Sequence, residues 1–110
     1  MNILFICSKN QWRSPTAEQI WRNHASWVTR SAGTSRHAKR PVNADLIRWA
    51  DVIFVMEQKH KNRLKADFSR LLEHKPLHVL DIPDDYQYMD PELITLLEDA
   101  VPHILNQTAV

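Results

Sequence analysis

Four consecutive apolar residues, Ile3–Ile6, run straight into Cys7 and a polar segment that ends at Ser14-Pro15. A short, continuous apolar run is what a strand buried on both faces of a parallel sheet looks like. Pro15-Thr16-Ala17-Glu18 reads as a helix start opened by Ser14 or Pro15, because proline suits the first helical turn. A buried strand that passes through a polar loop into a helix confines the fold. Parallel strands need crossover connections, and the helices that make them cover the sheet.

The rest of the chain repeats this alternation. Asn2–Ile6 is the first strand. In the first helix, Ala17, Ile20, Trp21, His24 or Ala25, and Val28 recur at helical spacing and are expected to face the core. Val28–Ala32 is more polar, as an edge strand would be, and Gly33, the only glycine, ends it. A basic loop follows, with Arg36, His37, Lys39, Arg40 and Pro41. Asn43–Ala50 reads as a short helix capped by Asn43, and Val52–Val55 as a third buried strand. Glu57–Asp67 is a polar helix anchored by Leu64, extended by or followed by Phe68–His74. Leu77–Leu80 is the fourth strand, and Asp81–Met89 an acidic and aromatic loop. Asp90-Pro91-Glu92 opens the last helix, with Leu93, Ile94, Leu97, Val101, Ile104 and Leu105 as its buried stripe and Pro102 expected to kink it. The expected fold is therefore α/β: one three-layer domain over residues 1–110, with a four-stranded parallel sheet and helices on both faces. Right-handed crossovers give the strand order 2-1-3-4. The switch point of such a sheet, where ligands bind, lies at the carboxyl end of strand one, beside Cys7.

Composition narrows the function classes. A chain of 110 residues suffices for one core and not for two. Its single cysteine excludes an intrachain disulfide and points to a reducing, cytoplasmic setting. The N-terminal apolar run is too short for a signal peptide, and no stretch is long enough to span a membrane. Net charge is +1, yet residues 1–50 hold eight Lys/Arg against two Asp/Glu, while residues 76–110 hold seven Asp/Glu and no Lys/Arg. Most of these charges read as ordinary solvated surface, so no nucleic acid is expected as partner. The six histidines show no metal-ligand spacing, and neither metal nor cofactor is expected. Nothing in the sequence fixes an oligomeric state.

The loop carries the chemistry. At the junction of a buried strand and a helix, successive backbone N–H groups can turn inward as a nest for an anion, and the helix N-terminus adds donors. The expected phosphate-binding residues are Ser8, Lys9, Asn10, Gln11, Trp12, Arg13 and Ser14. Arg13 offers a planar fork for two oxygens. The same fields favour the thiolate of Cys7, which makes it a nucleophile, and the Ser14 hydroxyl can donate to it. A lone cysteine is more often an inert strand end, but here it sits at the floor of an oxyanion cradle.

Cys-x5-Arg-Ser-Pro-x-Ala-Glu resembles the phosphate loop of low-molecular-weight protein tyrosine phosphatases; Cys7, Asn10, Arg13, Ser14, Pro15, Ala17 and Glu18 fit. Ser31-Ala32-Gly33-Thr34 resembles a second signature of that family, and Ala50–Met56, with His60 and Leu64, its third-strand region. The resemblance implies a cysteine-dependent phosphomonoester hydrolase that works through a thiophosphate intermediate on Cys7, acting on a phosphorylated protein or a small aryl phosphate. Three departures stand out. The loop and helix that typically follow the second strand are missing. Lys9 replaces a usual glycine. Trp12 stands where many members have a second cysteine, and stacking on an aryl group or plain packing against helix one are equal readings for it.

A leaving alkoxide or phenoxide needs a general acid, which the family takes from an aspartate after strand four. In Asp81-Ile82-Pro83-Asp84-Asp85-Tyr86, counting back from the last helix favours Asp84, and counting forward from the strand favours Asp81; Asp85 is a further alternative. Tyr86 and Tyr88 can form a pocket wall. Two other functions compete with the phosphatase. One is a non-catalytic module that binds phosphate or a phosphopeptide. The other is an arsenate reductase, whose intramolecular relay needs cysteines this chain lacks.

Overall fold

In the computed structural model, residues 1–108 are described. The elements alternate as β1 (Asn2–Cys7), α1 (Arg13–Ile20), β2 (Val28–Gly33), α2 (Ala44–Trp49), β3 (Val52–Val55), α3 (Gln58–Leu72), β4 (Leu77–Val79) and α4 (Pro91–Thr108). The strands form one sheet in the order β2-β1-β3-β4, and every neighbouring pair is parallel. The expected topology is thus the observed one.

Alternation along the central strands builds the two faces. Ile3, Phe5 and Cys7 of β1, with Val52, Phe54 and Met56 at β3, point to one side, where Ala17 of α1 and Leu93, Leu97 and Val101 of α4 cover them. Leu4 and Ile6, with Ile53 and Val55, point to the other side, against Leu46 and Ile47 of α2 and Leu64 and Leu72 of α3. Phe5 stacks between Trp21 and Phe54, with ring centroids 5.7 Å from each. A strand buried on both faces must be apolar at every position, which is why Ile3–Ile6 and Val52–Val55 carry no polar residue.

Local signals set several ends. Asn43 Oδ1 accepts from the Leu46 N–H and starts α2. Asp90 Oδ1 accepts from the Glu92 N–H where α4 begins at Pro91. Phe68 is non-helical (φ −137°, ψ 33°), so the segment 58–72 is two helical pieces across a kink.

The first helix differs from expectation at both ends. It begins at Arg13, with Trp12 rather than Ser14 at the N-cap position and no side-chain cap bond. Pro15 then lies inside the first turn, where its missing N–H has no intrahelical acceptor to lose. The helix stops at Ile20 instead of running on towards Val28. His24 Nδ1 accepts from the Ser26 and Trp27 N–H groups, and its ring stacks on Trp27 at 4.1 Å. That tight turn replaces helical bonding, leaves His24 exposed, and delivers Val28, also exposed, as the first residue of β2.

Candidate active site

The segment from Cys7 to Arg13 turns back over the carboxyl end of β1. Its carbonyls are taken from behind. Cys7 O accepts from the Thr34 N–H, Ser8 O from Ser35 and Lys9 O from Lys39, at 2.9, 3.0 and 3.1 Å. Three carbonyls of the segment are thus anchored to the loop after β2. Asn10 makes the turn with φ 55°, a left-handed conformation that asparagine tolerates better than most residues. Gly33 lets the two loops meet. A Cβ there would stand 2.5 Å from Ser8 O and 2.6 Å from the Ala38 Cβ.

Beneath the loop lies a buried polar network. Asn10 Nδ2 donates to Ser14 Oγ at 3.0 Å and to Ser31 Oγ at 2.9 Å, and Ser31 Oγ donates to Glu18 Oε1 at 2.6 Å. Ser14 Oγ lies 3.0 Å from Cys7 Sγ and 3.3 Å from the Ala32 carbonyl. Its single proton therefore serves one of these two neighbours at a time. Asn10 and Ser14 thus brace the loop from below. Glu18 is tied to the same network, which explains its place in the Ser-Pro-x-Ala-Glu run.

A cavity of about 280 Å³ opens above Cys7. Ser8, Lys9, Gln11, Trp12 and Arg13 line it, joined by Lys59 at the start of α3 and Asp84 from the loop after β4. The cavity thus gathers Cys7, Arg13 and Asp84. Asp81 and Asp85 are exposed and do not line it. Asp81 has φ 56°, and this left-handed turn sends the chain back so that Ile82 is buried and Asp84 comes over the cavity. The Ile82 N–H donates to the Met56 carbonyl, and the Met89 N–H to Thr16 Oγ1, pinning the loop to β3 and to α1. Tyr86 packs against the core. Trp12 is 41% exposed, so it forms cavity wall rather than core.

Arg13 is only 2% exposed. Its Nη1 donates to Glu57 Oε2 at 2.5 Å and to the Ile82 carbonyl at 2.9 Å, and its Nε stands 3.5 Å from Asp84 Oδ1. One corner of the guanidinium is thereby fixed to the start of α3 and to the loop after β4. Burial alone would push the Glu57 carboxyl up; the bond to Arg13 and its charge outweigh this and hold it below its ordinary value.

Sequence reasoning assigned no role to Glu57 and placed His60 only within a family pattern. His60 is 1% exposed, and its pKa is pushed down to about 4, by burial first and by the Arg13 charge second. Its Nδ1 accepts from the Glu57 N–H at 3.0 Å. The ring proton must then sit on Nε2, which donates to Ser8 Oγ at 2.8 Å. Ser8 keeps its own proton free to donate into the cavity. The available signal was the Glu57-x-x-His60 spacing at a helix start, a side chain reaching back to the N-cap amide.

Residues 2–47 match the family model described as low molecular weight phosphotyrosine protein phosphatase. No curated protein sequence matches the chain at a significant level. Among solved structures, SP-PTP, a low molecular weight protein tyrosine phosphatase from Streptococcus pyogenes, superposes with a TM-score of 0.80 at 16% identity, covering 99% of this chain and 93% of that one. The tyrosine phosphatase Wzb from Escherichia coli K30, in complex with phosphate, gives 0.75 at 22% identity, with 96% of each chain covered. The YwlE arginine phosphatase from Geobacillus stearothermophilus gives 0.71 at 20% identity, covering 96% and 94%. Residues 2–47 thus match the sequence pattern of the low molecular weight phosphotyrosine protein phosphatases, and the described chain has the fold of the solved phosphatases it superposes on.

Proposed function

We propose that this chain is a phosphatase that hydrolyses phosphomonoesters through Cys7. The observation that carries the reading is the convergence of a cysteine, a buried arginine and a carboxylate on one cavity. The phosphate of the substrate occupies the nest, with Arg13 presenting its Nε and Nη2 edge to two oxygens and Nε exchanging Asp84 for the anion. Ser8 Oγ and the helix N-terminus add donors. Cys7 Sγ attacks phosphorus; the S–P bond forms as the bond to the leaving oxygen breaks, and Asp84 gives that oxygen its proton. Water then attacks phosphorus, Asp84 takes the water's proton, the S–P bond breaks, and inorganic phosphate leaves. Ser14 Oγ donates to the departing thiolate, which stabilises it as a leaving group.

Without substrate, Asp84 Oδ1 lies 3.5 Å from Arg13 Nε, at the mouth of the cavity where the leaving oxygen departs.

The test is a leaving-group series. Asp84→Asn is expected to slow a phenyl phosphate by roughly a hundredfold or more, and a substrate with a very acidic leaving alcohol much less. Asp81→Asn and Asp85→Asn are expected to do neither. Leaving-group dependence in Asp81→Asn alone would move the acid to Asp81. Absence of any turnover by the unmodified protein would favour a phosphate-binding module.

A further inference from the structure

The cavity above Cys7 is not isolated. A second depression of about 450 Å³ adjoins it, and Gln11 and Trp12 belong to both. Lys39, Arg40, Glu18 and Tyr88 complete the part of its lining that matters here. Two large aromatic side chains are exposed in it, Trp12 at 41% and Tyr88 at 49%. Exposed aromatics bordering one depression are costly to solvate and suited to covering a ligand.

Its charge is mainly positive and only partly answered. Arg40 lies 3.7 Å from Glu18 Oε1, but that carboxylate already accepts from Ser31 Oγ at 2.6 Å. Lys39 forms no ion pair among the described residues, while its backbone N–H donates to Lys9 O and so fixes it beside the cradle. A ligand seated with its phosphate over Cys7 leaves past Trp12, the shared wall. The next group along it then meets Lys39 and Arg40.

We propose that this second depression recognises a carboxylate side chain next to the phosphorylated residue, so that the substrates are phosphorylated protein segments with an acidic neighbour. The inference rests on the phosphatase reading for the placement of the phosphate. The amide side chains of Asn10, Gln11 and Gln19 in the lining both donate and accept, as pairing with a peptide backbone requires. A continuous polyanion fits less well, because Asp84 and Glu18 border the same two cavities and would repel it.

The experiment uses the Cys7→Ser protein, which retains the cradle, and three phosphotyrosyl peptides of one length with Glu, Gln or Lys beside the phosphotyrosine. Calorimetric titration is expected to show the Glu peptide binding roughly threefold to tenfold more tightly than the Gln peptide, the scale of one or two exposed ion pairs. The Lys peptide is expected to bind weakest. The Glu preference should vanish in the Lys39→Glu, Arg40→Gln double variant and shrink as salt rises. Equal affinities, a preference that survives the double variant, or no binding of any peptide would overturn the proposal. Hydrolysis of p-nitrophenyl phosphate by the unmodified protein is measured in parallel. Turnover without a Glu preference removes this inference alone, and a Glu preference without turnover removes the phosphatase reading and leaves a depression that recognises such segments as ligands, not substrates.

Discussion

Gly33 and Ser8 approach so closely that a single methyl group could not fit between them: a Cβ on Gly33 would lie 2.5 Å from the Ser8 carbonyl oxygen. That carbonyl is also held by the Ser35 N–H, so the end of β2 and the loop after it form a wall behind the Cys7–Arg13 segment. The Ser-Ala-Gly-Thr run is thereby a packing requirement of that segment.

Gly33→Ala is accordingly expected to distort the cradle. Overpacking of this kind costs roughly 1–3 kcal/mol. Because the clash falls on Ser8 O, and Asn10 N is only 3.1 Å away, phosphate affinity should fall together with the melting temperature. Thermal unfolding with and without phosphate checks this; a variant with unchanged phosphate-induced stabilisation would show that the cradle tolerates the shift.

Arg13→Lys is expected to lower both phosphate affinity and turnover, turnover by roughly a hundredfold or more, the scale of losing one oriented donor to a developing charge. An ammonium group can meet Glu57 or the anion but cannot hold Glu57 and the Ile82 carbonyl at one corner while offering two parallel N–H groups at another. Steady-state kinetics alongside phosphate titration is the measurement. Retention of both would remove Arg13 from the anion site.

Much of this was written in the chain, and the reasons differ by element. Val52–Val55 and Asn43 were legible because a doubly buried strand and an N-cap are specified within a few residues. The junction of strand, loop and helix at Cys7 was legible because its parts are contiguous in the chain. The arginine's partners were not: Glu57 and His60 lie far from the loop in sequence, and only the fold brings them to Arg13 and Ser8. The end of α1 was misplaced because helical spacing persists by coincidence through Trp21, which reaches Phe5 from beyond the helix. Which of Asp81, Asp84 and Asp85 lines the cavity hung on one left-handed residue, Asp81, which composition cannot reveal.

His60 gives the protein an acid-sensitive hinge point. It is buried neutral, with a folded-state pKa of about 4 against an ordinary 6.5. The unfolded chain therefore takes up a proton between these values that the folded chain refuses. Its contribution is fully present above pH 6.5 and is lost as pH falls towards 4. At ~1.4 kcal/mol per pH unit, the loss across that window is about 3 kcal/mol. Glu57, whose carboxyl is held below its ordinary 4.5, adds its own loss at still lower pH. His60→Gln keeps a donor for Ser8 without a titrating ring and should flatten the fall between pH 6.5 and 4. Melting temperatures from pH 7.5 to 4.5 for both proteins test this; parallel curves would assign the acid lability elsewhere.

Rapid acid quenching during hydrolysis of p-nitrophenyl phosphate, followed by mass spectrometry of the peptide containing Cys7, shows whether the phosphoryl group passes through the sulfur of Cys7. A phosphoryl group on Cys7 is predicted, formed at a rate no slower than turnover and absent, together with turnover, from Cys7→Ser. Hydrolysis by Cys7→Ser within a few-fold of the unmodified protein, with no phosphoryl group on the Cys7 peptide, would contradict it.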